Sequence, residues 1–460
     1  MKKYILIVLG FWHQEIKPML AWPLFQLMYM KAARRATQEM KLERVAEKRL
    51  EKLLRLAVQS VPYYRSVYQV YGYGKGSEIS SDDFQNLPTI NRQALQKYHR
   101  LFFRHGRVPI TGVYHVTSGT TNQPLEVPVS IFRTVRESVD RALHARLQKL
   151  DLSTFRLFGN NFAHITDSFG NTTSNRISDF KVSRITRYAI PLALSDDAKK
   201  MIRRIEVDNP SLVSGKPSSL IHLATLCRKL GYPKKQGIQP SFIYSGAEHL
   251  SVSDRQLLEE VFQSKVYEHY GTTEIGVFGR ECRYHDGFHY ASDRFIVEII
   301  PIEGRTPEDD PELGEIVVTE LTNRQFPLIR YRTGDVGKIA PTPCLCGSLF
   351  PRIMLCDGRL IQFFISESGY RVNPFGLTLQ LRLLPLRDYQ IIQRNTEQVL
   401  VRYVGELSSR LVVEAVLPEA RRLLGTRIDV LAEQVYSVRE HGKKFMPYLC
   451  LVSHPEPTGL

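Results

Sequence analysis

"SFIYSGAEHLSVSDRQLLEEVFQSKVYEHYGTTE" occupies residues 241–274. "SFIYSG" reads as a strand, "SDRQLLEEVF" as a helix and "SKVYEHYG" as a second strand. Strand, helix and strand in succession argue for an α/β architecture.

The same alternation of apolar runs and amphipathic stretches extends from Thr111 to about Pro351. Within it "SLIHLATLCRKLG" reads as a helix closed by Gly231. Upstream, Leu42, Ala46, Leu50, Leu53, Leu54 and Ala57 recur at helical spacing, and Pro62 in "VPYYRSVY" stops that helix. "SSDDFQNLPTINRQALQKY" reads as a loop followed by a short helix. After "GRL" at 358–360 the texture changes. "YQIIQRN", "QVLVRYVG", "RIDVLAEQV" and "PYLCLVS" read as short strands around a helix near 408–424. A boundary near Asp357–Arg359 leaves a C-terminal α+β domain of about 100 residues, a common domain size. The expected division is a basic helical leader over 1–80, a large domain over 81–357 and a small domain over 358–460.

The chain has 460 residues, 43% hydrophobic and 24% charged, so it folds and divides into two or more domains. Its formal charge is +15, and residues 1–65 carry thirteen Lys/Arg against five Asp/Glu. This excess reads either as a solvated helix exterior or as a basic face for anionic lipid. No nucleic-acid motif accompanies it, and no nucleic-acid partner is expected. "YILIVLGFW" near the start is nine residues long, too short to span a bilayer, and lacks a clean cleavage site. A buried or membrane-surface helix fits better, with a peripheral membrane contact as the expected consequence. Six cysteines do not make a disulfide scaffold, so the expected compartment is the reducing cytoplasm.

"TSGTT", residues 117–121, packs four hydroxyls and Gly119 into five positions. Backbone N–H groups in such a turn, with hydroxyls around them, make a concavity for anionic oxygens. "YSGAEHL" (Tyr244–Leu250), "YEHYGTTE" (Tyr267–Glu274), "IRYRTGD" (Ile329–Asp335) and "DGR" (Asp357–Arg359) follow in order. Together the five stretches resemble the ordered core motifs of the adenylate-forming superfamily. The phenylacetate–CoA ligase branch and its relatives in capsular-polysaccharide biosynthesis look most similar. The resemblance covers roughly residues 40 to 453.

It implies a large multi-sheet adenylation domain and a small mobile C-terminal domain. It implies ATP-dependent activation of a small-molecule carboxylate as an acyl-adenylate, with transfer to coenzyme A or another acceptor. Thr117, Ser118, Gly119, Thr120 and Thr121 would cradle phosphates. Ser245, Gly246, Ala247 and Glu248 would lie along the adenine. Tyr270 would offer its ring to the adenine face, next to Gly271, Thr272 and Thr273. Glu274 would hold Mg²⁺, Asp335 would accept the ribose hydroxyls, and Arg359 would stand beside the ribose. Lys443, in "HGKKF", would swing into the site for adenylation.

Two departures bear on activity. The phosphate loop continues Asn122-Gln123 instead of Gly-Lys, and Leu360-Ile361-Gln362 stands where the branch carries hinge acids. They favour an alternative, a non-catalytic nucleotide-binding scaffold descended from the family. Cys282, Cys344 and Cys346 with a nearby histidine make a donor set for structural Zn²⁺. His289 is the first choice for the fourth ligand and His285 the alternative. "LFGNNFAHITDSFGNTTSNRISDF" is polar and aromatic together, which suits a small or aromatic carboxylate better than a long acyl chain.

Overall fold

The computed structural model describes residues 27–28, 30–31, 38–73, 79–80, 83–107, 113–116, 125–129, 160–167, 174–179, 183–191, 194–235, 237–248, 250–301, 312–356, 364–372, 374–386, 388–438 and 448–452. Helices α1 (Glu39–Ser60) and α2 (Pro62–Val70) meet at Val61, whose N–H still bonds to the Ala57 carbonyl. Pro62 does end α1, but it also takes the first position of α2, where a missing N–H costs nothing. Helix α3 (Arg92–Lys97) is capped by the Asn91 side chain, which accepts from the Ala94 N–H at 2.9 Å.

Leu50, Leu53, Leu54 and Ala57 of α1, with Tyr64 and Tyr68 of α2, are buried in one core with Tyr270, Phe278, Phe295, Val318 and Tyr331. The basic leader expected over residues 1–80 is therefore, where described, built into the core of the large unit. The Tyr64 hydroxyl donates to the Pro327 carbonyl at 3.0 Å and accepts from the Ile329 N–H at 3.0 Å. Tyr64→Phe strands both buried backbone groups. It should lower stability by about 1–3 kcal/mol, read as a reduced urea midpoint with an unchanged slope.

Strands β1 (Val113–Val116) and β2 (Glu126–Val129) form an antiparallel pair, Val116 opposite Glu126. Strands β3 (Asn160–Asp167), β4 (Ser174–Asp179), β5 (Ser183–Ile190), β6 (Leu212–Gly215), β7 (Phe242–Gly246) and β8 (Lys265–Thr272) build one end of the main sheet. Strands β9 (Gly276–Glu281), β10 (Phe288–Tyr290), β11 (Phe295–Ile300), β12 (Gly314–Glu320), β13 (Tyr331–Ile339) and β14 (Arg352–Cys356) build the other. The order is β11-β12-β13-β14-β10-β9-β8-β7-β6-β3-β5-β4, twelve strands in all. From β5 through β3, β6 and β7 to β8 every neighbour is parallel; from β8 onward to β11 every neighbour is antiparallel.

Parallel neighbours need crossovers. Helices α4 (Asp196–Asp208), α5 (Pro217–Lys229) and α6 (Val252–Phe262) supply them and bury Ile202, Leu223 and Val261 against Val213, Ile243 and Val266. Ser195 and Ser251 cap α4 and α6 through their hydroxyls. The strand–helix–strand expected over 241–274 is present as β7–α6–β8. Sheets of this kind bind ligands outside the carboxyl ends of their parallel strands. For the adjacent strands β7 and β8 those ends are Ser245-Gly246 and Gly271-Thr272.

A separate core follows. Strands β15 (Phe364–Ile365) and β16 (Arg371–Val372) form a small pair, and helix α7 (Phe375–Arg382) comes next. Strands β17 (Asp388–Asn395), β18 (Gln398–Val404), β19 (Asp429–Gln434) and β20 (Tyr448–Cys450) form a four-stranded sheet in the order β19-β18-β17-β20. Helix α8 (Ser409–Leu424) places Val412, Val416, Ala420 and Leu424 in the same core as Val399, Val401 and Tyr403. The α+β texture read from the C-terminal sequence matches these elements. The boundary at Asp357–Arg359 lies outside the described residues. No described helix is long and apolar enough to cross a membrane, and residues 1–26 are outside the description.

Candidate functional site

Asp335 lies on β13 with 3% of its surface exposed. The Tyr270 hydroxyl donates to its Oδ2 at 2.6 Å, and its own N–H bonds to the Thr333 hydroxyl at 3.1 Å. Thr333 in turn donates to the Ile316 carbonyl at 2.8 Å. Gly334, at φ 77°, makes the local turn of the backbone that Gly can adopt without strain. A tyrosine from the end of β8 thus orients an aspartate on β13. The Tyr270 ring, expected to present a face to a ligand, is 4% exposed and packs edge to face on Phe278 with centroids 4.7 Å apart.

At the ends of β7 and β8 the backbone is constrained. A Cβ at Gly271 would meet the Gly276 carbonyl oxygen at 2.3 Å, and a β-bulge falls between Tyr270 and Gly271. Ala247 has φ 76°, a left-handed conformation costly for a residue with a Cβ. Ser245 is fully buried. Glu248 Oε2 accepts from the Ser218 N–H at 3.1 Å, at the start of α5. Thr272 accepts from the Ile275 N–H at 3.1 Å, closing the turn that carries Thr273 and Glu274.

Glu274 is 3% exposed. Arg92 Nη1 reaches its Oε1 at 3.0 Å, across 182 residues of sequence. Burial first, then the Glu274 carboxylate, holds the Tyr331 phenol well above its usual pKa, so it stays protonated and bonds to Glu274. Periodicity gave no sign of Arg92. Its position follows from a backbone bridge: Ile90 N–H bonds to the Arg330 carbonyl at 3.0 Å and Arg332 N–H to the Ile90 carbonyl at 2.8 Å. The Arg330 guanidinium also donates to the carbonyls of Gln85 and Leu87. Glu274 is a buried carboxylate, an oxygen donor of the kind that a hard divalent cation takes.

Asp335, Tyr270 and Glu274 are thus brought together through β8, β13 and the turn after β8. Thr117–Thr121, Arg359 and Lys443 lie outside the described residues; β1 and β2 flank the first of these.

The second cluster stands on the antiparallel half. Cys282, His289, Cys344 and Cys346 place one donor atom each within 4.8 Å of all the others. Cys282 Sγ is 3.6 Å from Cys344 Sγ, and Cys346 Sγ is 3.4 Å from His289 Nε2. His289 Nδ1 bonds to the Phe350 carbonyl at 2.8 Å, which leaves Nε2 with its lone pair toward the thiols. Backbone N–H groups of Tyr284, Cys346 and Ser348 point at the sulfurs of Cys282, Cys344 and Cys346. Burial, with the neighbouring Cys344 and Cys346 adding to it, raises the Cys282 thiol; burial lowers His289. His285 is engaged elsewhere, 3.1 Å from both Glu281 and Arg255. Of the two candidate histidines the fold selects His289.

No protein-family model matches the chain. It is 25% identical over 362 residues to a phenylacetate–coenzyme A ligase of Thermus thermophilus, a match covering 77% of this chain and 78% of the relative. It is 26% identical over 306 residues to the phenylacetate–coenzyme A ligase of Escherichia coli, covering 65% and 68%. Among solved structures, 2-hydroxyisobutyryl-CoA ligase in its postadenylation state aligns with a TM-score of 0.58 at 19% identity, over 90% of each chain. The fold is that of adenylate-forming enzymes. With the sequence relatives, it places the chain in the adenylate-forming superfamily, as an AMP-forming ligase.

Proposed function

We propose that the protein activates a small or aromatic carboxylic acid with ATP and passes the acyl group to coenzyme A or another acceptor. The phenylacetate–CoA ligase branch is its place within the superfamily. The observation that carries this reading is the convergence of Asp335, Tyr270 and the Arg92–Glu274 pair at the carboxyl ends of the parallel strands.

A substrate carboxylate oxygen attacks the α-phosphorus of ATP; the bond to the bridging oxygen breaks and pyrophosphate leaves. The acceptor then attacks the acyl carbonyl and AMP leaves. Asp335, held by Tyr270, would accept from the ribose hydroxyls, and the family resemblance gives Arg359 a neighbouring place. Glu274 would hold Mg²⁺, which neutralises the crowded phosphate oxygens when bound. Thr117–Thr121 would supply N–H and hydroxyl donors, and the backbone at Ser245–Ala247 would line the adenine. Cys282, His289, Cys344 and Cys346 would hold a structural Zn²⁺. The capsule-polysaccharide setting and the membrane contact through the basic N-terminus rest on sequence features alone.

Carboxylate-dependent exchange of pyrophosphate into ATP, screened over an acid library, tests the reaction. Lys443, on the small C-terminal unit, would complete the site for adenylation only on closure. Lys443→Ala should leave ATP binding nearly intact and cut exchange by roughly 10²–10³. Lys444→Ala should do little. Wild-type protein that binds ATP but exchanges with no acid would be a nucleotide-binding scaffold, the reading that Asn122-Gln123 and Leu360 favour.

A further inference from the structure

Both faces of a parallel sheet are usually covered and apolar. Ala163, Val213, Ile243 and Val266 follow this rule on the side that α4, α5 and α6 cover. The other side departs from it. The register sets Arg187 of β5 opposite His164 of β3, His164 opposite Ser214 of β6, and Ser214 opposite Tyr244 of β7. Residues paired this way share one face. Lys216 stands two residues beyond Ser214, and its extended backbone, φ −72° and ψ 151°, keeps it on that face.

The contacts agree with the register. His164 Nδ1 lies 3.1 Å from the Ser214 hydroxyl. Burial first, then the charges of Arg187 and Lys216, lowers the His164 pKa. At neutral pH the ring is therefore uncharged, with one N–H to donate. Two cations gathered at one imidazole repel each other, and an anion between them relieves that repulsion. On the helix side Lys199, Lys200 and Arg204 are each matched to an acid, Asp196, Asp197 and Asp208. Arg187 is exposed and has no such partner among the described residues. The row also leads to the candidate site. Tyr244 stacks on His269 with centroids 4.8 Å apart, and His269 precedes Tyr270. His164 is two strands from β7, roughly 10 Å at the usual strand spacing.

We infer that Arg187, Lys216 and His164 form an anion subsite in the crevice that leads to Tyr270, and that it takes a carboxylate or phosphate of a substrate. Resting on the proposed ligase function, two sources supply such a group. One is a second acidic group on the acid; the other is the terminal ribose phosphate of coenzyme A. Either would accept from the guanidinium, the ammonium and the imidazole N–H together, and charge-assisted bonds of this kind are the strong ones.

Calorimetry reads the subsite without turnover. AMP-saturated protein is titrated with phenylacetate and its para-carboxy derivative, which differ by one carboxylate. It is also titrated with dephospho-coenzyme A and coenzyme A, which differ by one phosphate. In one of the two pairs the more anionic member should bind about tenfold or more tightly. The Arg187→Gln, Lys216→Gln double variant should erase that difference and leave the less anionic member unchanged. Both side chains are exposed, so the variant should fold. Discrimination within the acid pair identifies the acid as the source, and within the coenzyme pair the coenzyme. Equal binding within both pairs, or a difference that survives in the double variant, would overturn the inference. A protein that keeps the discrimination but exchanges pyrophosphate with no acid would lose the ligase reading and retain the subsite.

Discussion

Asp335→Ala abolishes the rise in melting temperature that ATP or AMP confers on the wild-type protein. A ligand that binds only the folded state stabilises it by mass action, by about 2.7 kcal/mol at a hundredfold excess over its dissociation constant. Hydrogen bonds to a charged acceptor contribute about 1.5–3 kcal/mol each. Losing the two from the ribose hydroxyls therefore removes most of the affinity. Tyr270→Phe tests the geometry differently. The carboxylate remains, but the donor that orients it at 2.6 Å is gone, so the shift should shrink without vanishing. Differential scanning fluorimetry over a nucleotide titration measures both. A full shift in Asp335→Ala would mean that the ribose binds elsewhere, and the β8–β13 assignment would fall.

Purified protein should carry about one Zn²⁺ per chain by elemental analysis, and the Cys344→Ser, Cys346→Ser double variant should carry none. Binding at a structural zinc site contributes directly to folding; in isolated zinc-finger peptides the apparent free energy is about 10–16 kcal/mol. Here the neighbouring strands have their own core, so the expected result is a large fall in melting temperature and local opening of 282–290 and 342–352, not global unfolding. Hydrogen exchange would locate that opening. His289→Ala should weaken metal retention and His285→Ala should not, because His285 is already bonded to Glu281 and Arg255. Metal-free wild-type protein of undiminished stability would end the zinc assignment.

Features that depend on neighbours in the chain were legible in the sequence. The strand–helix–strand of 241–274 and the α8 helix with its surrounding strands follow from periodicity, which local backbone geometry imposes. Glu274, Asp335 and the three cysteines stand out because each sits in a short stretch of chemically specific residues.

What pairs with what was not legible. Arg92 and Glu274 lie 182 residues apart, and nothing in "NRQALQK" marks its arginine over any other. That the tyrosine in "YEHYG" donates to Asp335 and packs on Phe278 shows only in the tertiary structure. Glu248, expected beside the adenine, bonds at the start of α5 because the β7 turn carries it there. His285 and His289 are both close to Cys282 in sequence. The β9–β10 register sets His289 opposite Arg280 and hands it to the thiols, while the turn at His285, φ 52°, sends that ring to Glu281. Propensity and periodicity are local, and they fixed the elements. The sites are made by strand register, the Ile90–Tyr331 bridge and burial, all of which join distant segments, and those only the tertiary structure decides.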